Sequence, residues 1–263
     1  MGERIAELAA SPGWRTVDFV SDLHLHAADR ATAARWLDYL ASQPRPDALF
    51  ILGDLFEVWV GDDVLDHPDT PERAFVRSCI DALGRFASTT PVHFLAGNRD
   101  FLLGAAALAA GGMQALEEPT VMTFAGRRWL LSHGDPLCLA DTDYLAFRAQ
   151  VRSAPWQAAF LARPLAEREA IATDLRARSE ARKRELGHDP SLWADVDADA
   201  ARELLQRAGA TTLIHGHTHR PADHDLGQGL RRTVLSDWDM QARPPRAQVL
   251  RLTADGLRRV PLA

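Results

Sequence analysis

Seven side chains able to hold a divalent cation sit in five short strings: Asp22 with His24, Asp54, Asn98, His133, and His215 with His217. Each string follows an apolar run. The donors are imidazole nitrogens, carboxylates and one amide, with no thiolate among them. Neutral imidazole is the commonest metal-binding side chain. Seven donors exceed the four taken by a tetrahedral zinc and suit two ions sharing one carboxylate. Such a mixed donor set favours Mn2+ or iron over structural zinc. Two ions about 3.5–4 Å apart are the usual device for phosphoester hydrolysis: one makes a nucleophile of water, and both neutralise charge on the phosphoryl oxygens. Taken singly, each member has a plainer reading. An Asp after a strand is commonly a cap, a His a satisfied polar side chain, and a His-x-His turn a surface loop. The concentration of all seven at five strand ends is what points to a dinuclear centre.

These donors need elements that bring them together. Short β-branched and aromatic runs predict strands over 15–20, 48–52 and 92–96, a hairpin over 121–124 and 128–131 turning at Ala125-Gly126, and later strands near 230–235, 247–252 and 257–261. Helical periodicity predicts helices over 31–42, 71–88 (Pro71 in its first turn) and 197–208. Residues 101–116 are Gly- and Ala-rich and read as a buried helix and turn. Asp22 and His24 alternate with apolar neighbours, which places them on one face at the end of the first strand. In open α/β sheets ligands bind beyond the carboxyl ends of strands. Residues 140–195 differ, with helical signals, nine basic residues from Arg148 to Arg184 and interleaved Tyr144, Phe147, Trp156 and Phe160. They read as a helical cap inserted into a single domain spanning 1–263.

Composition narrows the class. Of 263 residues, 46% are hydrophobic and 25% charged, as in a soluble globular protein. A net charge of −6 argues against general nucleic-acid binding. Cys79 and Cys138 make no disulfide framework and fit a reducing, cytoplasmic setting. The first residues, Met1-Gly-Glu-Arg-Ile-Ala-Glu, carry acids where a signal peptide is basic and then apolar. No run approaches the ~20 apolar residues of a membrane span.

The strings Asp22-Leu-His-Leu25, Gly53-Asp-Leu-Phe56, Gly97-Asn-Arg-Asp100, Ser132-His-Gly-Asp135 and His215-Gly-His-Thr-His219 resemble the calcineurin-like metallophosphoesterase superfamily. Three longer strings narrow this: Gly53-Asp-Leu-Phe-Glu-Val-Trp-Val-Gly-Asp-Asp63, Gly97-Asn-Arg-Asp-Phe-Leu-Leu-Gly104 and Ile214-His-Gly-His-Thr-His-Arg-Pro221. They are similar to the UDP-2,3-diacylglucosamine hydrolase (pyrophosphatase) family of lipid A biosynthesis. The resemblance covers about residues 15–262 and implies an α/β (α+β) fold, an αββα sandwich with a helical cap insertion. It implies two Mn2+ per chain. Asp22, His24 and His217 would bind one, Asn98, His133 and His215 the other, and Asp54 would bridge. Asp54, Asn98, Arg99 and His24 would form the catalytic set. Asn98, Arg99, Asp141, Ser179 and His215 would touch substrate. Where the family commonly has an amide and a Lys after the serine, this chain has Lys183 and Leu186, so the basic role would pass to Arg182, Lys183 or Arg184. The implied reaction is water attack on the α-phosphorus of UDP-2,3-diacylglucosamine, giving UMP and 2,3-diacylglucosamine 1-phosphate. The implied setting is a monomer, peripheral on the cytoplasmic face of the inner membrane.

Arg99 bears on the reaction independently. Most of the superfamily has His at this position, able to protonate an alkoxide leaving group. Arg does not give up its proton. A phosphate monoester, with a pKa around 6, leaves without one, and a sugar or protein alkoxide does not. Arg99 can instead clamp a phosphate bidentately; the plainer reading is a surface ion pair. The cap's apolar residues would hold acyl chains and its arginines would meet phosphate or anionic headgroups; alternatively they pack the helices and form a solvated face. His219 reads as support for the ligands or a phosphate contact. Asp62 and Asp63 read as ordering the loop after Asp54, or as a plain turn. Two other functions stand beside this one: a dinuclear nucleotide pyrophosphatase or phosphodiesterase without lipid specificity, and a non-catalytic binding scaffold.

Overall fold

The apolar runs sort into three buried clusters, and these set the layering. The computed structural model describes residues 4–185 and 195–263, without the side chains of residues 179, 180 and 182–185. The first half contains β1 (Ala6–Ala9), β2 (Val17–Val20), α1 (Arg30–Ala41), β3 (Ala48–Leu52), α2 (Pro71–Ala87), β4 (Val92–Leu95), α3 (Ala105–Ala110), β5 (Met113–Ala115), β6 (Thr120–Phe124) and β7 (Arg127–Leu131). There follow α4 (Thr142–Val151), α5 (Ala154–Leu161), α6 (Leu165–Glu185), α7 (Ala198–Ala208), β8 (Thr212–His215), β9 (Asp223–Gly227), β10 (Leu230–Val234), β11 (Gln248–Thr253) and β12 (Gly256–Pro261).

Two six-stranded sheets run β1-β6-β7-β8-β10-β9 and β12-β11-β2-β3-β4-β5. Phe19, Phe50, Leu52, Met122, Trp129 and Ile214 fill the space between them. Trp36, Ile80, Leu83, Ile51 and Phe94 bury the outer face of the second sheet under α1 and α2. Leu205, Ala201, Leu130 and Leu213 bury the outer face of the first under α7. This is the expected αββα order. It explains why β2, β3 and β4 are buried along their whole length, β3 as a continuous apolar run: both their faces are covered.

Register then places the site. Parallel pairing sets Val20 opposite Ile51 and Ile51 opposite Phe94, so β2, β3 and β4 end at one edge. In the other sheet Leu131 lies opposite Ile214. The turns leaving these five strands carry the candidate donors.

Three strands escaped the sequence. β1 (Ala-Glu-Leu-Ala) has helix-forming residues yet pairs in parallel with β6, a tertiary override of propensity. β5 falls inside 101–116, which holds only the short helix α3 before it. β9 (Asp-His-Asp-Leu-Gly) is a polar edge strand.

Helices α4–α6 lie in the chain between β7 and β8. Their apolar residues divide. Trp156, Phe160, Leu165 and Ile171 pack on the α1–α2 cluster, with Trp156 stacked on Phe160 at 4.8 Å. Phe147, Leu161 and Leu175 stay exposed. The arginines divide too, and several turn inward onto protein partners. Arg148 pairs with Asp135 and Glu118. Arg152 donates to the Gly97 carbonyl at 2.8 Å. Arg168, buried, reaches the Val60 carbonyl and Asp63.

Candidate metal centre

Beyond β2 the chain turns sharply. Asp22 and His24 both adopt left-handed backbone, φ 53° and 48°. They are therefore not strand residues sharing a pleat; a bent loop aims both at the site. Asp22 N–H donates to the Gly53 carbonyl and His24 N–H to that of Asp54, stitching the first loop to the second. Gly53 and Gly97 permit the next approach: a Cβ on Gly97 would lie 2.1 Å from Asp54 Oδ1.

Two overlapping groups result, each with ligand atoms within 4.8 Å of one another: Asp22, His24 and His219, and Asp22, Asp54 and His133. Asp54 Oδ2 stands between them, 3.9 Å from His24 Nε2 and 3.7 Å from His133 Nε2. Asn98 Oδ1 completes the second side, 3.0 Å from His133 Nε2 and 2.9 Å from His217 Nδ1. His219 Nε2 completes the first, 3.1 Å from His24 Nε2 and 3.4 Å from Asp22 Oδ1.

The rings are oriented from behind. His133 Nδ1 lies 2.8 Å from the Leu52 carbonyl, so it carries the proton and Nε2 is free to ligate. His24 Nδ1 faces Glu57 Oε2 at 3.1 Å. His219 Nδ1 faces Asp237 Oδ2 at 3.8 Å, and Arg246 holds Asp237. Asp100, fully buried, accepts from the backbone N–H groups of Asp54, Leu55 and Gly97 and so fixes the Asp54 turn.

Electrostatics mark the centre as a cation site. Burial alone would depress His133, yet the charges of Asp54, Asp22, Asp135 and Glu118 lift it to about 9. His24 is likewise raised against burial by Glu57 and Asp54. Burial works against ionised Asp22, but its hydrogen bond and charge interaction with His219 prevail and lower it. The carboxylates thus draw positive charge into this space, and the oxygen and nitrogen donors around it fit hard divalent ions.

Residues 15–221 match the family model for calcineurin-like phosphoesterases. The chain is 46% identical over 247 residues to a UDP-2,3-diacylglucosamine hydrolase of Chromobacterium violaceum, covering 94% of this chain and 98% of that one. It is 46% identical over 251 residues to one of Xanthomonas campestris pv. campestris, with 92% and 97% covered. This chain belongs to the calcineurin-like phosphoesterase family, beside the UDP-2,3-diacylglucosamine hydrolases.

In this phosphoesterase the histidine turn is corrected by one step of two residues. His217 and His219, not His215 and His217, face the donor groups. His215 is fully buried. Its Nδ1 lies 2.9 Å from the Gly216 carbonyl and its Nε2 3.4 Å from Arg232 Nη1. The reason is strand alternation: Leu213 and His215 share the α7-facing side of β8, while Ile214 points between the sheets. Burial pushes His215 down to about 3, which keeps it neutral. Its expected contact with substrate fails on the same ground.

The other expected positions are distributed as follows. Arg99 N–H donates to Asp54 Oδ1 at 2.8 Å, and its guanidinium lies 3.6 Å from Glu57. Asp141 caps α4 by accepting from Tyr144 N–H, and the Tyr144 ring stacks on His217 at 5.9 Å. The side chains of Ser179, Arg182, Lys183 and Arg184 lie outside the described residues. Asp62 caps the segment entering α3 through the N–H groups of Gly104, Ala106 and Ala107, and Asp63 pairs with Arg168, so both order the loop after Asp54. Glu57, Asp100 and Asp237 were missed. The first two stand inside the motif strings quoted above, and their position there was the available signal.

Proposed function

We propose that this phosphoesterase cleaves the pyrophosphate bond of UDP-2,3-diacylglucosamine with two Mn2+ per chain, releasing UMP and 2,3-diacylglucosamine 1-phosphate. The observation that carries this is Asp54 set between two histidine donor groups with Arg99, rather than an acid, on the adjoining turn. The names of the relatives support the substrate.

Asp22, His24, Asp54 and His219 would hold one ion, and Asp54, Asn98, His133 and His217 the other. When bound, the ions would acidify a water and set positive charge against the phosphoryl oxygens. The chain's own residues do the rest. Arg99 remains a cation throughout and clamps phosphoryl oxygens. With no proton donor there, the group that departs must be stable as an anion, as a phosphate monoester is and a sugar alkoxide is not. Tyr144 packs on His217 and keeps water from that side of the ring.

In this reading residues 1–263 form one domain and α4–α6 its cap. Asp141, Ser179, Arg182 and Lys183 touch the substrate. Exposed Phe147, Leu161 and Leu175 take acyl chains, worth ~0.8 kcal/mol per buried CH2. Among the described residues no helix is long and apolar enough to cross a membrane, and the proposed setting is a monomer resting on the cytoplasmic face of the inner membrane.

The test is UMP release with and without Mn2+, for wild type and Asp54→Ala. The variant should lose at least about a hundredfold, since altering residues that merely support a ligand already costs 10–100-fold. Unchanged activity in Asp54→Ala would sink the bridging role. Equal turnover of a deacylated UDP-sugar would replace the lipid substrate with a soluble nucleotide one.

A further inference from the structure

One carboxylate joins the metal side of the site to helix α6. Glu57 follows β3 by five residues and is largely buried. Its two oxygens face different ways. Oε2 lies 3.1 Å from His24 Nδ1. Oε1 lies 3.6 Å from Arg99 Nη1 and 3.2 Å from Arg176 Nε. Its own backbone N–H donates to the Leu25 carbonyl, which fixes it to the loop that carries His24.

Among the described side chains, helix α6 is otherwise tied down in its first half, where Leu165 and Ile171 also pack on the core. Arg168 reaches Val60 and Asp63, and Glu169 forms a two-point pair with Arg73. Arg176 is two turns further on and carries the tie to Glu57, next to the candidate donors. Three groups of different function thus converge on one side chain: a candidate ligand ring, the phosphate clamp and the cap.

We propose that Glu57 is a positioning residue that couples helix α6 to His24 and Arg99. Through Oε2 it holds the His24 ring with Nε2 turned toward Asp54. Through Oε1 it holds Arg99 and Arg176 side by side, so the seating of α6 and the aim of the clamp depend on the same carboxylate. This rests on the hydrolase reading for its activity arm only.

The experiment uses the full chain as wild type, Glu57→Gln, Arg176→Met and the double variant, with thermal melts to confirm folding. Three readouts follow: Mn2+ affinity by calorimetry, hydrogen exchange along residues 165–178 without metal, and KM and kcat for UMP release. Glu57→Gln should weaken Mn2+ binding about 10-fold or more, speed exchange in the α6 segment and raise KM. Arg176→Met should speed exchange and raise KM while leaving Mn2+ affinity within about twofold. In the double variant the KM effects should not add, because both changes break one link, and the loss of Mn2+ affinity should persist. Glu57→Gln with wild-type Mn2+ affinity and wild-type exchange would overturn the proposal, as would fully additive KM effects. If Glu57→Gln does not fold, Arg176→Met decides alone: unchanged exchange and unchanged KM would overturn it. If wild type releases no UMP, the hydrolase reading fails, and calorimetry and exchange still decide the role of Glu57.

Discussion

The sharpest test of the site is a swap between two histidines four residues apart. His219 Nε2 lies within 3.4 Å of Asp22 Oδ1 and 3.1 Å of His24 Nε2. His215 packs beneath Gly134, where an added Cβ would stand 2.8 Å from its Nδ1, and it contacts Arg232. His219→Ala removes a proposed direct ligand, so Mn2+ affinity should fall by at least about a hundredfold, beyond the 10–100-fold expected for supporting residues. His215→Phe keeps the volume and removes a buried hydrogen bond, which costs about 1–3 kcal/mol of stability. At about 2–4 °C per kcal/mol for a chain of this size, Tm should drop by roughly 2–12 °C. Mn2+ affinity of the folded protein should stay within about threefold. Calorimetric Mn2+ titration beside thermal melts separates the two effects. The reasoning is refuted if His215→Phe loses Mn2+ affinity as His219→Ala does while its melting point holds.

Two further outcomes follow from single contacts. Gly97→Ala would place a methyl 2.1 Å from Asp54 Oδ1 and 2.5 Å from its backbone nitrogen; displacing Asp54 by an ångström should cost about a hundredfold in kcat/KM, whereas Gly126→Ala, with nothing within 4 Å of the new methyl, should keep activity and lose only stability from its φ of +73°. His93, stacked on Phe50 at 4.5 Å and pushed down by burial to about 4, is neutral in the fold and takes up a proton near its ordinary value when unfolded. The unfolded state therefore binds more protons between about 4 and 6.5, and stability falls as pH drops through that window. His93→Phe should remove about 2 kcal/mol of the wild-type loss between pH 7 and pH 5; parallel urea-unfolding curves for the two proteins at both pH values would contradict it.

What the sequence makes legible is local. A strand such as Ala-Leu-Phe-Ile-Leu followed by Gly-Asp announces a buried strand and a turn, and β3 with Asp54 is found there. The donors Asp22, His24, Asp54, Asn98 and His133 each follow such a signal. The triple His215-Gly-His-Thr-His219 is different, because spacing by two offers two equivalent pairs. Which pair enters the site depends on where β8 ends and on the left-handed turns at His217 and His219, φ 66° and 53°; neither is written in the spacing. The supporting acids are harder still. Asp100 meets Leu55 across 45 residues, and Glu57, in the loop after β3, meets Arg176 inside the inserted cap. Such contacts come from sheet register and cap docking, which no local pattern encodes. The cap shows the same limit: an arginine-rich helical stretch reads as a surface, yet Arg148, Arg152 and Arg168 are fasteners.

Backbone conformation ties these observations together. Among the described residues, seven other than glycine have positive φ, and five of them are Asp22, His24, Asp54, His217 and His219; the others, Ala125 and Gln228, sit in tight turns. Left-handed backbone costs an ordinary L-residue roughly 1–2 kcal/mol, so chance would not gather it at one place. Asp and His tolerate this region better than most residues, and they are also the donors a hard divalent ion selects. The two demands therefore choose the same residue types. The turns stay put because neighbouring groups over-determine them: His217 N–H on the Asp22 carboxylate, Arg99 N–H on Asp54 Oδ1, Asp100 on the N–H groups of Asp54 and Leu55. Strain held this way is a sign of a preorganised site. It also brings the candidate ligand atoms of each group within 4.8 Å of one another. The sheets deliver five strand ends to one edge, and the left-handed turns convert those ends into converging side chains.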